Sequence, residues 1–252
     1  MESVYNCKRF QYESGEQITF YHKGIVVGTE KEVSSNLNKT HDTSNRTNDK
    51  ELHSIKVCNN RAKNKIYRIA RSNTWDWFIT LTFDRTKTDA SDYEEIINKL
   101  KIFLSNIKQR KCPNMKYLIV AELHKDKTNY HFHGLLSNVD NLNFKYWKYD
   151  KKKHIPIYNI VDWTLGYTTA TRVKDSSRVS SYITKYITKN VDEHLKEKRR
   201  YYYSRNCHIA EEEHFIIDEE DFQKTYADRI IYRKSVQVPQ ANQIINYYEL
   251  KY

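Results

Sequence analysis

Tyr117-Leu118-Ile119-Val120-Ala121-Glu122-Leu123 and His131-Phe132-His133-Gly134-Leu135-Leu136 are two short apolar, partly β-branched runs separated by the turn-like KDKTNY (125–130). Each has the length of a strand, and the short polar spacer predicts an antiparallel pair. Side chains alternate along a strand, so His131 and His133 leave one face while Phe132 leaves the other. If the strands pair through the turn at 125–129, Glu122 lies across from the histidines. Gly134 then offers a place where a backbone or ligand can come close.

Working outward, Phe78-Ile79-Thr80-Leu81-Thr82-Phe83 reads as a central strand, β-branched and aromatic throughout. Residues 91–110 carry Tyr93, Ile96, Ile97, Leu100, Phe103, Leu104 and Ile107 at helical spacing, with Ser91 as N-cap and Cys112-Pro113 as the stop. A basic amphipathic helix is expected over 51–72, a helix over 177–191, and strands at 155–161 and 165–173. The Lys/Tyr/Trp-rich stretch 143–154 reads as a loop. The fold class that follows is α+β, a central antiparallel β-sheet with helices packed on one of its faces.

Three segments are expected: a β hairpin and polar linker over 1–50, with 33–50 a mobile linker; the main domain over 51–206; and an acidic C-terminal extension over 207–252. The last boundary follows charge. Residues 1–206 hold 38 basic and 23 acidic residues, residues 207–252 hold 5 and 9, and the whole chain of 252 carries +11. A basic body of this kind suits a polyanion, although AT-rich codon usage also raises Lys and Tyr.

Composition excludes several classes. No run approaches 18 apolar residues and the first residues lack a signal-peptide core, so a soluble cytoplasmic protein is expected, with no membrane partner. The four Cys (Cys7, Cys58, Cys112, Cys207) are scattered without a C-x-x-C pair, against a zinc knuckle or disulfide framework. The five Gly form neither a P-loop nor a dinucleotide fingerprint.

Two constellations can carry chemistry. His131, His133 and Glu122 on one sheet face would make an N,N,O site with open positions for a divalent ion, Mg²⁺ or Mn²⁺, that acts on phosphate. An H-x-H pair is also an ordinary surface pattern. The second is Tyr182-Ile183-Thr184-Lys185-Tyr186-Ile187-Thr188-Lys189, which as a helix stacks Val179, Ile183, Ile187 and Val191 in one stripe and Tyr182, Lys185, Tyr186 and Lys189 in its neighbour. Two phenols one turn apart beside ammonium groups suit nucleophilic attack on a polarised phosphate. They also suit half-buried filler on an amphipathic helix.

With FITLTF (78–83), His131-Phe132-His133 and YITKYITK (182–189) in that order, the chain resembles the HUH-type rolling-circle replication initiators, two-tyrosine Rep endonucleases like those of small single-stranded DNA phages. RRYYYSR (199–205) is similar to a segment that often follows the third motif, and the resemblance covers roughly 60–206. It implies an HUH endonuclease-like fold in which His131, His133 and Glu122 hold Mg²⁺ or Mn²⁺ against the scissile phosphate of a single-stranded DNA origin. One of Tyr182 and Tyr186 attacks, leaving a 5′-phosphotyrosine and a primer 3′-OH. The second cuts again, and Lys185 and Lys189 offset phosphate charge. The order of the two tyrosines stays open.

Host helicase and polymerase would be partners, in the host cell cytoplasm if the gene is phage-borne. Lys148, Lys151, Lys152 and Lys153, interleaved with aromatics in WKYDKKKH (147–154), read as a single-strand stacking platform or as a solvated loop. Arg199, Arg200 and Arg205 are further candidate DNA contacts. Trp75 and Trp77 read as core, and the basic helix as solvent-facing. The alternatives are a non-catalytic DNA-binding regulator, and a relaxase or transposase of the same superfamily.

Overall fold

The computed structural model describes residues 3–27, 44–124, 126, 128–188 and 198–252. Along the chain run β1 (Ser3–Tyr12), β2 (Gly15–Val27), α1 (Ser44–Arg71), β3 (Trp77–Phe83), α2 (Tyr93–Arg110), β4 (Lys116–Leu123) and β5 (Tyr130–Ser137). There follow β6 (Phe144–Asp150), β7 (Ile155–Ile160), β8 (Gly166–Arg172), α3 (Ser176–Thr188) and β9 (Tyr201–Tyr203). Last come β10 (Glu212–Phe215), α4 (Glu219–Thr225), β11 (Ile230–Val238) and β12 (Gln243–Leu250). The strands form two antiparallel sheets, so the fold class is α+β, consistent with an HUH endonuclease-like fold. No helix among the described residues is long and apolar enough to cross a membrane.

The chain divides into two compact units, Ser44–Ile209 and a second made of Met1–Thr43 with Ala210–Tyr252. In the larger unit seven strands run in the order β6-β7-β8-β3-β5-β4-β9. The strand read as central is central: β3 pairs β5 on one side and β8 on the other. Helices cover both faces of this sheet, not one. Period-2 alternation makes both faces apolar at mid-sheet, so each needs a cover. On one face Ile96, Leu100 and Leu104 of α2 pack with Ile79, Leu81, Ile119 and Phe132. On the other, Ile66 and Ile69 of α1 and Ile183 and Tyr186 of α3 pack with Leu118, Val120 and Leu135.

Gly134 serves packing. A Cβ there would lie 2.3 Å from Ile119 Cδ1, so the missing side chain lets β4 and β5 fill the α2 face closely, and no ligand is needed to explain it.

Several local expectations change. Helix α1 begins at Ser44, so 44–50 is helix and not linker, while 28–43 lies outside the described residues. The cap of α2 is Asp92, whose carboxylate accepts from the Glu94 and Glu95 backbone N–H groups; Ser91 Oγ instead donates to Asp89. Residues 144–150, read as loop, are the edge strand β6, paired with β7 in antiparallel register. Alternation was hidden there because an edge strand exposes both faces.

The smaller unit is a five-stranded sheet, β10-β1-β2-β12-β11, with α4 on it. The N-terminal hairpin and the C-terminal segment, separate in the sequence reading, build this one sheet: β2 pairs β12, and Cys7 of β1 opposes Phe215 of β10. Its core is Cys7, Ile18, Phe20, Phe222, Tyr248 and Leu250.

Candidate functional site

Register fixes the first half of the site. In the β4–β5 pair Glu122 lies directly opposite His131 and Val120 opposite His133, and in the β3–β5 pair Thr80 lies opposite His133. All four polar side chains therefore leave the sheet on the face covered by α1 and α3. The Oε2 atom of Glu122 is 2.8 Å from His131 Nε2 and 2.7 Å from His133 Nε2, and the two Nε2 atoms are 3.2 Å apart.

Three donor atoms on two adjacent strands thus converge on one point, and the three residues can hold a metal ion. The spacing fits. Ligands at about 2.1 Å in an octahedral shell are about 3 Å apart along a cis edge. The second ring nitrogen of His133 lies 3.1 Å from Thr80 Oγ1, which orients the imidazole from behind.

Electrostatics agree with a cation site. Burial pushes the Glu122 carboxyl up, but hydrogen bonds from His131 and His133 and their nearby charge outweigh it, and the carboxyl is held well below the usual glutamate range. The glutamate is therefore an anion facing two imidazoles in a nearly closed pocket.

The tyrosines supply the second half. Tyr186 is 6% exposed and its ring stacks on His133, centroids 3.6 Å apart and planes 21° from parallel. Tyr182, one turn earlier on α3, is 40% exposed and meets Tyr186 edge-on at 5.3 Å. The apolar stripe was expected to account for burial by itself, yet Tyr186 belongs to the buried cluster with Ile183. Burial, a hydrogen bond to Tyr182 with that phenol's charge, and the Glu122 carboxylate all push the Tyr186 phenol above its ordinary range. A cation held by Glu122 would cancel the last of these. Lys185 Nζ lies 5.5 Å from the Tyr182 ring. Lys189 lies outside the described residues.

Phe78 was not singled out in the sequence, although it shares its strand face with Thr80. It packs against His133 (6.0 Å), Tyr182 (5.2 Å) and Tyr186 (6.0 Å) and so ties α3 to the donor cluster. The alternation of FITLTF carried that signal. His124, at the end of β4, meets His131 edge-on at 5.5 Å and was likewise not singled out.

A groove of about 560 Å³ opens beside the tyrosines. Phe78, Thr80, Thr169 and Thr171 line it on the sheet side, Tyr182 and Tyr186 on the α3 side, and Asp150, Lys153, Ile155 and Ile157 from the β6–β7 hairpin. Among the candidate DNA contacts, Lys148, Lys151, Lys152 and Lys153 are exposed on that hairpin, and Lys153 reaches the groove. Arg199 and Arg205 are exposed on either side of β9, at the opposite edge of the sheet, and are not brought together with the lysines. Arg200 is buried and donates to Asn59 of α1, a structural role.

Residues 76–191 match a family model for replication-associated proteins of the ORF2 type. The matched span, just under half of the chain, contains Glu122, His131, His133, Tyr182, Tyr186 and the residues lining the groove. No curated protein and no solved structure gives a match. The family match supports a replication-associated protein.

Proposed function

We propose that this chain is a replication initiator that nicks single-stranded origin DNA by tyrosine attack and rejoins strands by the reverse reaction. The observation that carries the reading is the stack of Tyr186 on His133. A nucleophile sits against a side chain that, with His131 and Glu122, can hold a cation, and a second phenol stands one helical turn away.

His131, His133 and Glu122 would hold Mg²⁺ or Mn²⁺, with the histidines favouring Mn²⁺. Such an ion supplies charge to a phosphate oxygen as negative charge builds in the transition state. The chain's own residues do the rest. Thr80 fixes the His133 ring, and Phe78 fixes α3 against it. The tyrosine Oη forms a bond to phosphorus while the P–O3′ bond breaks. The phenol proton passes to solvent, and the 3′ oxygen keeps the electron pair, takes up a proton and leaves as a 3′-OH.

The 5′-phosphotyrosine conserves the phosphodiester, so attack by a 3′-OH regenerates tyrosine and a joined strand. The second tyrosine can open a new site while the first stays linked. Lys185 lies beside Tyr182, where its charge offsets phosphate. Unwinding and synthesis fall to a host helicase and polymerase.

The metal half is tested by cleavage of single-stranded fragments of the chain's own replicon at limiting Mn²⁺. His131→Ala with His133→Ala is expected to abolish cleavage while single-strand affinity is kept. Unchanged cleavage in that variant would exclude the site.

A further inference from the structure

The edge hairpin β6–β7 carries features that nicking chemistry does not require. Phe144 stacks on Trp77 at 3.9 Å, anchoring the hairpin's base in the core. Its turn is fixed as well: the Asp150 carboxylate accepts from the Lys152 and Lys153 backbone N–H groups, and His154 takes a left-handed conformation with φ of 52°. On this rigid support the aromatic rings are turned outward. Trp147 is 50% exposed, while Trp75, Trp77 and Trp163 are all buried.

The register shift between Tyr146 and Lys148 sets Lys148 opposite Ile157, a groove-lining residue, and Lys148 Nζ sits 4.0 Å from the Trp147 ring centroid. Rigid exposed aromatics interleaved with lysines suit unstacked bases on a phosphate chain, because every base has a face to stack and the lysines take the charge.

We propose that the β6–β7 hairpin is a clamp for single-stranded DNA. Trp147 stacks a base, Lys148 and Lys153 contact phosphates, and the groove leads the strand to Tyr182. This identifies how the substrate is gripped and rests on the nicking-initiator reading. Single-stranded DNA is the occupant, and not duplex, because stacking on Trp147 needs a base out of its helix. The host unit is also strongly basic, with 33 Lys and Arg against 17 Asp and Glu in residues 44–209.

Trp147 makes its own reporter. Oligothymidylate added to the full-length protein in EDTA is expected to quench tryptophan emission from the exposed ring, and a duplex of mixed sequence is expected not to. Trp147→Phe should remove the quenching. Trp147→Ala should weaken binding, read by anisotropy of a labelled oligonucleotide, about ten-fold. In both variants the blue emission of the three buried tryptophans reports that the fold is kept. Lys148→Ala with Lys153→Ala should flatten the log affinity against log salt slope by about 1.4, at roughly 0.7 per single-strand phosphate contact.

Full quenching in Trp147→Phe, wild-type affinity in Trp147→Ala, or equal quenching by duplex would each overturn the clamp. The two readings fail separately. Quenching without any covalent adduct on the replicon keeps the clamp and rejects the nickase, whereas adducts without quenching reject the clamp alone.

Discussion

Thr80 contributes one hydroxyl, and its place behind His133 gives that hydroxyl a measurable consequence. A ligating imidazole is oriented through its other nitrogen, and losing such a partner typically costs about ten- to a hundred-fold in metal affinity. Thr80→Val is therefore expected to weaken Mn²⁺ binding at least ten-fold by calorimetry, and an unchanged Kd would remove Thr80 from the site. Glu122 makes a prediction in acid. Its carboxyl is held below the ordinary value of about 4.3 in the folded protein, so its pairing stabilises the fold above that pH. As pH falls further the unfolded chain takes up the proton first and the stability is lost. Metal-free Glu122→Gln should show a flatter loss of stability below about pH 4.3 than the parent, and parallel curves would contradict the pairing. Glu122, His131 and His133 were all legible in sequence, because one turn and a period of two suffice to align them. Thr80 and Phe78 were not, since their strand reaches the site by pairing with β5 across more than fifty residues of intervening chain.

At the scale of elements, α3 decides which tyrosine meets the phosphate first. The doubled YITK repeat makes Tyr182 and Tyr186 equivalent in sequence, and packing separates them: Tyr186 lies on His133, and Tyr182 faces the groove. Tyr186→Phe is expected to lower the first cut on a single-site strand by about 10⁴-fold or more, the scale of losing a nucleophile. Tyr182→Phe should keep that cut and lose strand transfer between two sites. The reverse pattern would assign the first attack to Tyr182. Strand β6 shows why other elements were harder to read. Tyr146, Trp147 and Tyr149 are all exposed, so no buried alternation marks the strand, and only its pairing with β7 defines it. The same reason hid β9, three residues that exist as a strand only through β4.

Across the whole molecule, charge follows the two units. Residues 44–209 carry a net +16, whereas 1–43 and 210–252 together carry −5. The sequence showed an acidic C-terminal region but not its partner, because strands such as β2 and β12 pair across more than two hundred residues and local patterns do not encode that choice. Single-stranded DNA crosslinked by ultraviolet light to the intact protein is expected to mark peptides within 44–209, and adducts confined to 210–252 would contradict this electrostatic division. The central claim is a covalent one. Purified protein, incubated with end-labelled single-stranded fragments of its own replicon and Mn²⁺ or EDTA, can be resolved on a denaturing gel. A labelled protein–DNA band is expected that requires metal and disappears in Tyr182→Phe with Tyr186→Phe, while that variant still binds the strand. Nicking retained in the double variant, or binding without an adduct on every fragment, would contradict it.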